Sequence, residues 1–381
     1  MDWTHLKALA CKAGASPDFA ACLEAFPVLE LAKATPQDPR YHAEGDVWTH
    51  TRMVLEALVA QPYYSQADET ERQVLFFAAL LHDVAKYRTT QVDPATGAIR
   101  QPGHSRKGAL EARLLLWQAG VPFEQREAIC RLIAAHQVPL HAMEDSRSNR
   151  GPEYLVRSLS WQVKLSTLAA LAEADMHGRI CGDVRRVFDN IELFRELAKE
   201  EGCLTEPRVF ADAHTRISYF RGASVHPDYA LYQGPGSQVI LMSGLPASGK
   251  NTWVETHYAG MPVVSFDDAR EELGLKAGPT AGAAAHLVVE RAKALLRAHK
   301  PFVWNATNIN PQLRKKALDL LYDYNAQVTI VYLEASEREI KTRNHKRDTT
   351  LTNAGIEKML LRWEVPLPTE AHCVQYPGAN G

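Results

Sequence analysis

The sequence is poor in the features that mark secreted and membrane proteins. Its six cysteines are scattered over 381 residues without a C-x-x-C pair. This argues against a disulfide framework and against a zinc site built from thiolates. No apolar run approaches the roughly 18 residues that a membrane-spanning helix needs. We therefore expect a protein of the reducing cytoplasm that has no membrane partner.

A dominant charge of one sign is also absent. The formal net charge is -2 at pH 7, from 43 Lys and Arg against 45 Asp and Glu. Because such a chain has no global field to draw it onto nucleic acid, a polyanionic partner must be held by local basic patches. Hydrophobic residues make up 46% of the chain, and at this length the composition predicts two domains, each with its own core.

The spacing of apolar residues changes once along the chain. Through residues 1–222 they recur every three or four positions, as in VWTHTRMVLEAL, which predicts an all-α domain. Residues 223–236 gather Gly, Pro and polar side chains, as is typical of a linker. In residues 237–381, apolar runs such as QVILMS and AQVTIVYLE alternate with helical segments. This pattern predicts an α/β domain with a doubly wound parallel sheet.

The second half contains LMSGLPASGKNTW, which matches the phosphate-binding pattern G-x-x-x-x-G-K-[ST] except at its last position. A predicted strand precedes the segment and a predicted helix follows it, so backbone N–H groups would surround an anion at the helix N-terminus. Lys250 would reach the β- and γ-phosphates. Asn251 stands where a Ser or Thr hydroxyl normally contacts Mg²⁺, and an amide oxygen can also coordinate a hard cation.

The segment therefore predicts a site for ATP or another NTP with Mg²⁺. The predicted nucleotide-binding residues are Gly244, Ser248, Gly249, Lys250, Asn251 and Thr252. No Walker-B-like Asp follows the third predicted strand, which ends in WNATN. Asn305 and Asn308 stand at that rim instead, and their amides can bind phosphate or water or stabilise the turn.

Charged residues follow two other predicted strands. In SFDDAR, Asp267 and Arg270 are three residues apart and share one face of a starting helix. A carboxylate there can accept a proton from an attacking hydroxyl, and an Arg can hold an anionic group. Asp268 is the alternative acid, and a helix-capping acid beside a surface Arg is the alternative to a catalytic pair. Arg343 and Arg347, one turn apart, can close over a triphosphate or belong to a solvated basic face.

These segments resemble the P-loop kinase module of phage and bacterial polynucleotide kinases, which phosphorylate 5′-OH ends. The resemblance covers residues 236–381. It implies that Asp267 is the general base and that Arg270 binds the 3′ phosphate of the terminal nucleotide. It also implies that Lys250 and a lid arginine, Arg343 or Arg347, stabilise the transferring phosphoryl group.

Histidines and carboxylates recur in the helical half in the order H…HD…H…H…D. Imidazole and carboxylate ligands together suit Zn²⁺, Mn²⁺, Fe, Co²⁺ or Ni²⁺, and helix bundles build such sites from facing helices. The candidate metal ligands are His50, His82, Asp83, His104, His136 and Asp175. His136 can alternatively pair with His141 or cap its helix. Lys86, one turn after Asp83, is placed to neutralise phosphate.

This order resembles the HD phosphohydrolase superfamily, including its two-metal members. The resemblance implies two transition-metal ions that share Asp83. It assigns the first ion to His50, His82, Asp83 and Asp175, and the second to Asp83, His104 and His136. Just upstream, the segment RYHAEGDVWTH offers candidates for supporting the ligands or contacting substrate, namely His42, Glu44 and Asp46.

Together the halves resemble bacterial bifunctional end-healing enzymes, with an N-terminal HD phosphoesterase and a C-terminal polynucleotide kinase. The resemblance implies RNA or DNA ends as partners, with a 2′,3′-cyclic phosphate or 3′-phosphate on one end and a 5′-OH on the other. Two alternatives stay open. One is an HD nucleotidase fused to a nucleoside-type kinase, and the other is an HD hydrolase regulated by an NTP-sensing P-loop unit.

Overall fold

The computed structural model divides the chain into two compact units, Met1–Arg208 and Val209–Gly381. The residues it describes are 2–144, 150–275, 281–345 and 352–378. Within this described part, no helix combines the length and apolar character needed to cross a bilayer.

The division between the units falls ahead of the predicted linker at 223–236. The helix Ala213–Phe220 lies on the second unit's side of the division, where the side chain of Arg216 donates hydrogen bonds to the carbonyl oxygens of Ala371 and His372. Our domain bounds of 1–222 and 237–381 stay a prediction.

The first unit is helical, with one small hairpin. Its α-helices are α1 Trp3–Leu6, α2 Phe19–Ala25, α3 Val47–Ala60, α4 Pro62–Gln66, α5 Glu69–Leu81, α6 Lys86–Thr89, α7 His104–Gln118, α8 Phe123–Ala135, α9 Gly151–Leu159, α10 Leu165–His177 and α11 Val184–Glu200. Its 3₁₀ helices are Lys7–Leu9, Pro27–Ala34 and Pro139–His141. The antiparallel strands β1 Gln91–Val92 and β2 Ile99–Arg100 form the hairpin.

The helices α5 and α10 form the centre of this unit. Nearly every residue in the second half of α5 is buried, as is the first half of α10, so both helices are enclosed by apolar neighbours. Helix α5 begins at an Asp68 cap, whose carboxylate accepts the Glu71 backbone N–H, and it ends just before His82 and Asp83. The apolar packing of α5 thereby carries the His-Asp pair into the interior.

The second unit is a parallel sheet surrounded by helices. Its elements are α12 Ala213–Phe220, β3 Gln238–Ser243, α13 Lys250–His257, β4 Val263–Ser265, α14 Phe266–Glu272, α15 Ala281–Arg297, β5 Phe302–Asn305, α16 Pro311–Asp323, β6 Gln327–Tyr332, α17 Glu337–His345, α18 Asn353–Leu360 and β7 Cys373–Gln375. The described strands lie in the order β4-β5-β3-β6-β7, and all their pairings are parallel.

The fold-class prediction is confirmed: a helical domain precedes a doubly wound parallel α/β domain. The four predicted strands are present as β3 to β6. The fifth strand, β7, and the β1–β2 hairpin were not predicted, because these short strands lack the continuous apolar run that marks the equally short β4. Parallel strands present their carboxyl ends at one edge, and the loops after β3, β4 and β5 meet there.

Gly178 generates a test of the helical packing. A Cβ added to this residue would lie 2.5 Å from Val54 Cγ2 and 2.8 Å from the Val54 backbone nitrogen, so α3 or α10 would have to shift. We expect Gly178→Ala to lower the free energy of unfolding of the first unit by about 1–3 kcal/mol, the usual cost of overpacking. Urea unfolding, followed by hydrogen exchange in peptides from α3 and α10, measures this change in the full chain.

The matched control is Gly182→Ala, whose added Cβ has no neighbour within 4 Å. It should change the free energy of unfolding by less than about 0.5 kcal/mol, as is usual for surface substitutions. Equal unfolding midpoints for the two variants would contradict the close approach of α10 to α3.

Candidate functional site

Four histidines of the first unit are held in the same way. In His82, His104 and His136, Nδ1 lies 2.7 Å from the carbonyl oxygen three residues earlier in the chain. His50 Nδ1 lies 3.1 Å from the carbonyl oxygen of Gly178. A carbonyl oxygen only accepts, so each Nδ1 carries a proton, and in the neutral form of each ring Nε2 keeps its lone pair for a ligand.

Asp83 lies where these rings converge. Its Oδ2 is 3.1 Å from His82 Nε2 and 3.8 Å from His50 Nε2, and its Oδ1 is 3.4 Å from His104 Nε2. The side chain is only 2% exposed. Burial by itself raises the pKa of this carboxyl, but the charges of His82 and Lys86 hold the pKa well below its ordinary value. Asp83 is therefore a buried carboxylate that needs positive charge around it.

Two sets of ligand atoms meet at Asp83. The sets are His50, His82 and Asp83, and Asp83, His104 and His136, with the ligand atoms of each set within 4.8 Å of one another. Among the described residues, neither Asp83 oxygen has a well-aligned hydrogen bond and His136 Nε2 has no partner. Buried polar atoms of this kind are normally satisfied, so they fit a pair of cations that share the carboxylate.

The structure brings all six candidate metal ligands together. Asp175 Oδ1 lies 3.0 Å from His50 Nε2, and Asp175 Oδ2 forms an ion pair of 2.5 Å with Arg179. His136 lies inside the cluster, with its ring centroid 5.2 Å from that of His82. Its surroundings match the metal hypothesis better than a pairing with His141, which contacts Glu144 instead. The ligand roles themselves stay a prediction.

The ionisation of the rings suits metal binding. Burial lowers the pKa of His136 to about 3, and it also lowers the pKa of His104. Burial alone would lower the pKa of His50 too, but the adjacent carboxylates of Asp175 and Glu44 outweigh it and raise that pKa. Neutral imidazole is the form that binds a metal, and a ring paired with carboxylates is the stronger base.

Lys86 lies at the edge of the cluster. Its Nζ is 2.7 Å from Asp83 Oδ2 and donates a hydrogen bond of 2.7 Å to Gln37 Oε1. A buried ammonium at this place can move from the carboxylate to a phosphate oxygen. Neither Gln37 nor Arg179 was found from the sequence. Arg179 had a detectable signal, because it lies four residues after Asp175.

Asp46, a candidate for supporting the ligands or contacting substrate, caps the helix that carries His50. Its carboxylate accepts the backbone N–H of Thr49 at 2.9 Å and the Thr49 hydroxyl at 2.8 Å, which makes it the N-cap of α3. Its contacts are therefore those of a helix cap, and it orients His50 only by starting the helix on which that residue lies.

In the second unit, the segment after β3 folds as a tight loop that requires glycine. Gly244 has φ 145°, and a Cβ there would lie 2.2 Å from the carbonyl oxygen of Leu333. Gly249 has φ 99° and caps α13. Lys250 Nζ donates to the carbonyl oxygens of Gly244 at 2.9 Å and Leu245 at 2.8 Å, so this lysine is satisfied by the loop itself.

The unusual residue of the loop has a specific partner. Asn251 Oδ1 accepts a hydrogen bond of 3.0 Å from Nδ2 of Asn305, which ends β5. Asn251 and Thr252 are exposed, so they can reach a ligand over the loop. Asn308 is different: it is buried, has φ 44° and donates to the carbonyl oxygen of Met242 at 2.9 Å. Asn308 thus shapes the turn, whereas Asn305 orients the amide of Asn251.

The predicted acid and arginine of the rim form an ion pair. Arg270 Nη1 lies 2.8 Å from Asp267 Oδ1, and the Asp267 side chain is 75% exposed. The hydroxyl of Ser265 accepts the backbone N–H groups of Asp267 and Asp268, so the helix cap is Ser265 and not either acid. Neither carboxylate is therefore used as the helix cap, and that of Asp267 is paired with Arg270.

Arg343 lies beside the phosphate-binding loop. Its Nη1 donates to the carbonyl oxygen of Ala247 at 3.4 Å, and its Nη2 forms an ion pair of 2.8 Å with Glu339. Arg347, the other predicted lid arginine, lies outside the described residues. Of the two predicted lid arginines, Arg343 is therefore the one that the structure describes, and it contacts the loop.

Family models match both units. Residues 47–171 match the model described as HD domain, and residues 239–366 match the model described as AAA domain. The first range runs from the start of α3 into α10, and the second runs from β3 past α18. The first unit is thus similar to an HD domain, and the second unit is similar to an AAA domain.

Known relatives resemble parts of the chain. The multifunctional CCA protein of Halorhodospira halophila (strain DSM 244 / SL1) is 33% identical over 119 residues, which are 31% of this chain and 26% of that protein. The multifunctional CCA protein of Shewanella frigidimarina (strain NCIMB 400) is 26% identical over 161 residues, which are 42% of this chain and 36% of that protein. The matched segments thus span about a quarter to a third of these curated relatives. A solved structure, a gluconokinase from Sinorhizobium meliloti 1021, is 19% identical and covers 38% of this chain and 83% of its own, with a TM-score of 0.27.

The Asn251–Asn305 hydrogen bond generates a prediction about Mg²⁺-dependent nucleotide binding. We expect Asn251→Ala to raise the Mg²⁺ concentration needed for binding by about 10–100-fold, the usual effect of losing a group that orients a metal. Asn305→Ala should also raise the Mg²⁺ requirement, but by less, because the amide oxygen of Asn251 stays present and loses only the hydrogen bond that orients it. A Mg²⁺ titration at a fixed concentration of fluorescent ATP analogue measures both.

Asn251→Ser is the matched variant, because it restores the usual hydroxyl and should need less Mg²⁺ than Asn251→Ala. Superimposable titration curves for the wild type and Asn251→Ala would contradict a metal role. The nucleotide, water and other residues would then hold the ion, and Asn251 would only shape the start of α13.

Proposed function

We propose that this chain heals nucleic-acid ends. It would phosphorylate a 5′-OH with an NTP, and it would remove a 2′,3′-cyclic phosphate or 3′-phosphate with its metal centre. The observation that carries this proposal is the presence, in one chain, of a histidine cluster around Asp83 and a phosphate-binding loop with an exposed acid at its rim. A strand broken to leave these ends cannot be ligated until both are changed.

The hydrolytic half of the proposal rests on charges that the first unit already provides. When bound, metal ions would polarise the phosphoryl oxygens and activate the attacking water. The ammonium group of Lys86 would move from Asp83 Oδ2 to a phosphate oxygen and neutralise its charge, and the flexible side chain of lysine allows this movement. Arg179 keeps Asp175 ionised through their 2.5 Å pair, and the pKa of Asp175 is well below its ordinary value despite burial, which acts in the opposite direction.

The kinase half needs a phosphate-holding loop and a base. Lys250 would exchange the carbonyl oxygens of Gly244 and Leu245 for the β- and γ-phosphates. As the 5′ oxygen bonds to the γ-phosphorus, its proton would pass to Asp267, and the bond to the bridging oxygen would break to release the nucleoside diphosphate. Arg270 would turn from Asp267 to the 3′ phosphate, which also frees the base, and Arg343 would stabilise the transferring charge.

The two alternatives give different products. An HD nucleotidase fused to a nucleoside-type kinase would phosphorylate mononucleosides as well as oligonucleotides. An NTP-regulated HD hydrolase would need NTP for phosphate removal without transferring a phosphoryl group. One incubation with γ-labelled NTP, Mg²⁺, a transition metal and a 5′-OH, 3′-phosphate oligonucleotide distinguishes them when both ends are followed, with a mononucleoside tested in parallel.

The two activities should separate by mutation, because their residues lie in different units. We expect Asp83→Ala to abolish phosphate removal from the 3′ end and to leave 5′ phosphorylation nearly intact. Lys250→Ala should do the opposite. Electrophoresis of the end-labelled oligonucleotide measures both reactions, and circular dichroism checks that each variant is folded. Loss of both activities in either folded variant would argue against independent sites.

The two adjacent acids of the rim should differ in importance. If Asp267 accepts the proton, Asp267→Ala should lower the rate of 5′ phosphorylation by about 10²–10⁴-fold, the usual contribution of a general base. Asp268→Ala is the matched control and should lower it far less. Single-turnover rates at saturating NTP make the comparison. The reverse order would assign the proton transfer to Asp268.

A further inference from the structure

Glu44 is a buried carboxylate directly behind one of the candidate metal ligands. Its side chain is 1% exposed, and Oε1 lies 3.0 Å from His50 Nδ1 and 2.8 Å from His42 Nδ1. Its other oxygen, Oε2, accepts the backbone N–H of Ile180 at 2.8 Å. The neighbouring Ala43 N–H donates to the Ile180 carbonyl oxygen at 2.9 Å. The backbone of Ile180 therefore holds both the Glu44 carboxylate and the residue that precedes it.

The atoms of His42, Glu44 and His50 are close enough to hold a metal ion of their own. The hydrogen bonds of His50 argue against such an ion. A neutral imidazole has one lone pair on its ring nitrogens, and His50 Nε2 already faces Asp175 at 3.0 Å and His82 Nε2 at 3.4 Å. Its Nδ1 faces the Gly178 carbonyl oxygen, which requires a proton on that nitrogen.

We infer that Glu44 is a positioning residue, which shares the Nδ1–H of His50 with the Gly178 carbonyl oxygen and so presents the Nε2 lone pair to the Asp83 cluster. His42 in turn donates its own Nδ1–H to Glu44 and keeps the carboxylate at the correct angle. The other three rings are oriented by carbonyl oxygens alone. A carboxylate polarises an imidazole more strongly than a carbonyl does, so His50 is the strongest donor of the four. The inference rests on the metal centre of the proposed function and is independent of its substrate.

The first test measures metal binding in the full chain without substrate. Zn²⁺ and Mn²⁺ affinities are determined by competition with a chelator for the wild type and for Glu44→Gln. We expect Glu44→Gln to weaken binding of one ion by about 10–100-fold, as usual when such a partner is removed, with the number of ions at saturation unchanged. Unchanged affinity in the folded variant would overturn the inference. Loss of one ion from the number bound would also overturn it, because Glu44 would then be a ligand.

Glu71→Gln is the matched control. Glu71 is a partly buried carboxylate of the same unit whose Oε1 accepts from Tyr63 at 2.7 Å, Thr167 at 2.6 Å and Lys164 at 3.0 Å. Replacing it removes a similar charge and similar hydrogen bonds away from the Asp83 cluster. Its metal affinity should equal that of the wild type. An equal loss of affinity in both variants would show that a weakened fold, and not the position of Glu44, explains the result.

The second test needs no variant of Glu44, so it tests the inference even if Glu44→Gln does not fold. In the Zn²⁺-loaded wild type, ¹⁵N spectra of labelled histidines report which ring nitrogen carries the proton. The His50 signal is identified by its disappearance in His50→Gln. We expect a protonated Nδ1 and a metal-bound Nε2, and a metal-bound Nδ1 would overturn the inference. If the chain binds these ions but fails to act on oligonucleotide ends, the proposed function fails and the role of Glu44 stands.

Discussion

A carboxylate buried among imidazoles is the constraint on which the first unit depends. Asp83 has almost no contact with water, and an ionised carboxylate in such a place is very unfavourable unless positive charge surrounds it. Helices α3, α7 and α8 each bring a ring toward it, and α5 ends immediately before it. Lys86 supplies one cation from the protein, and metal ions are the natural source of the rest. The packing of the helices therefore determines which charged and metal-binding groups surround Asp83.

In the second unit, the candidate site has exposed side chains and a loop shaped by the backbone. Its loop is built from backbone groups, and Gly244 and Gly249 are needed because of their positive φ angles and the close approach of Leu333. The functional side chains lie at the rim, and Asp267 is largely exposed. The second unit therefore leaves side chains exposed around a loop shaped by its backbone, while the first unit holds its side chains by burial.

Much of this arrangement could be predicted from the sequence, because it depends on local patterns. Apolar spacing predicted the helical half and the strands β3 to β6, and the resemblance carried by the order of His50, His82 and Asp83 implied which side chains would meet. Glu44, six residues before His50, was a candidate from the sequence, but the partners that lie far away in the chain could not be found in this way. His50 and Gly178 are 128 residues apart, and Asn251 and Asn305 are 54 apart. A hydrogen bond between such residues depends on packing, which no spacing rule expresses.

The charges of the two candidate sites differ in how strongly they would attract a free cation. The first site has the buried carboxylates of Asp83, Asp175 and Glu44, so it attracts cations even without substrate. In the second site, Asn251, which we expect to contact Mg²⁺, and its partner Asn305 are neutral and hydrogen-bonded to each other. A pair of amides attracts a free cation weakly, whereas a triphosphate binds Mg²⁺ strongly. The ion of the second site would accordingly arrive with the nucleotide, while the ions of the first would be resident.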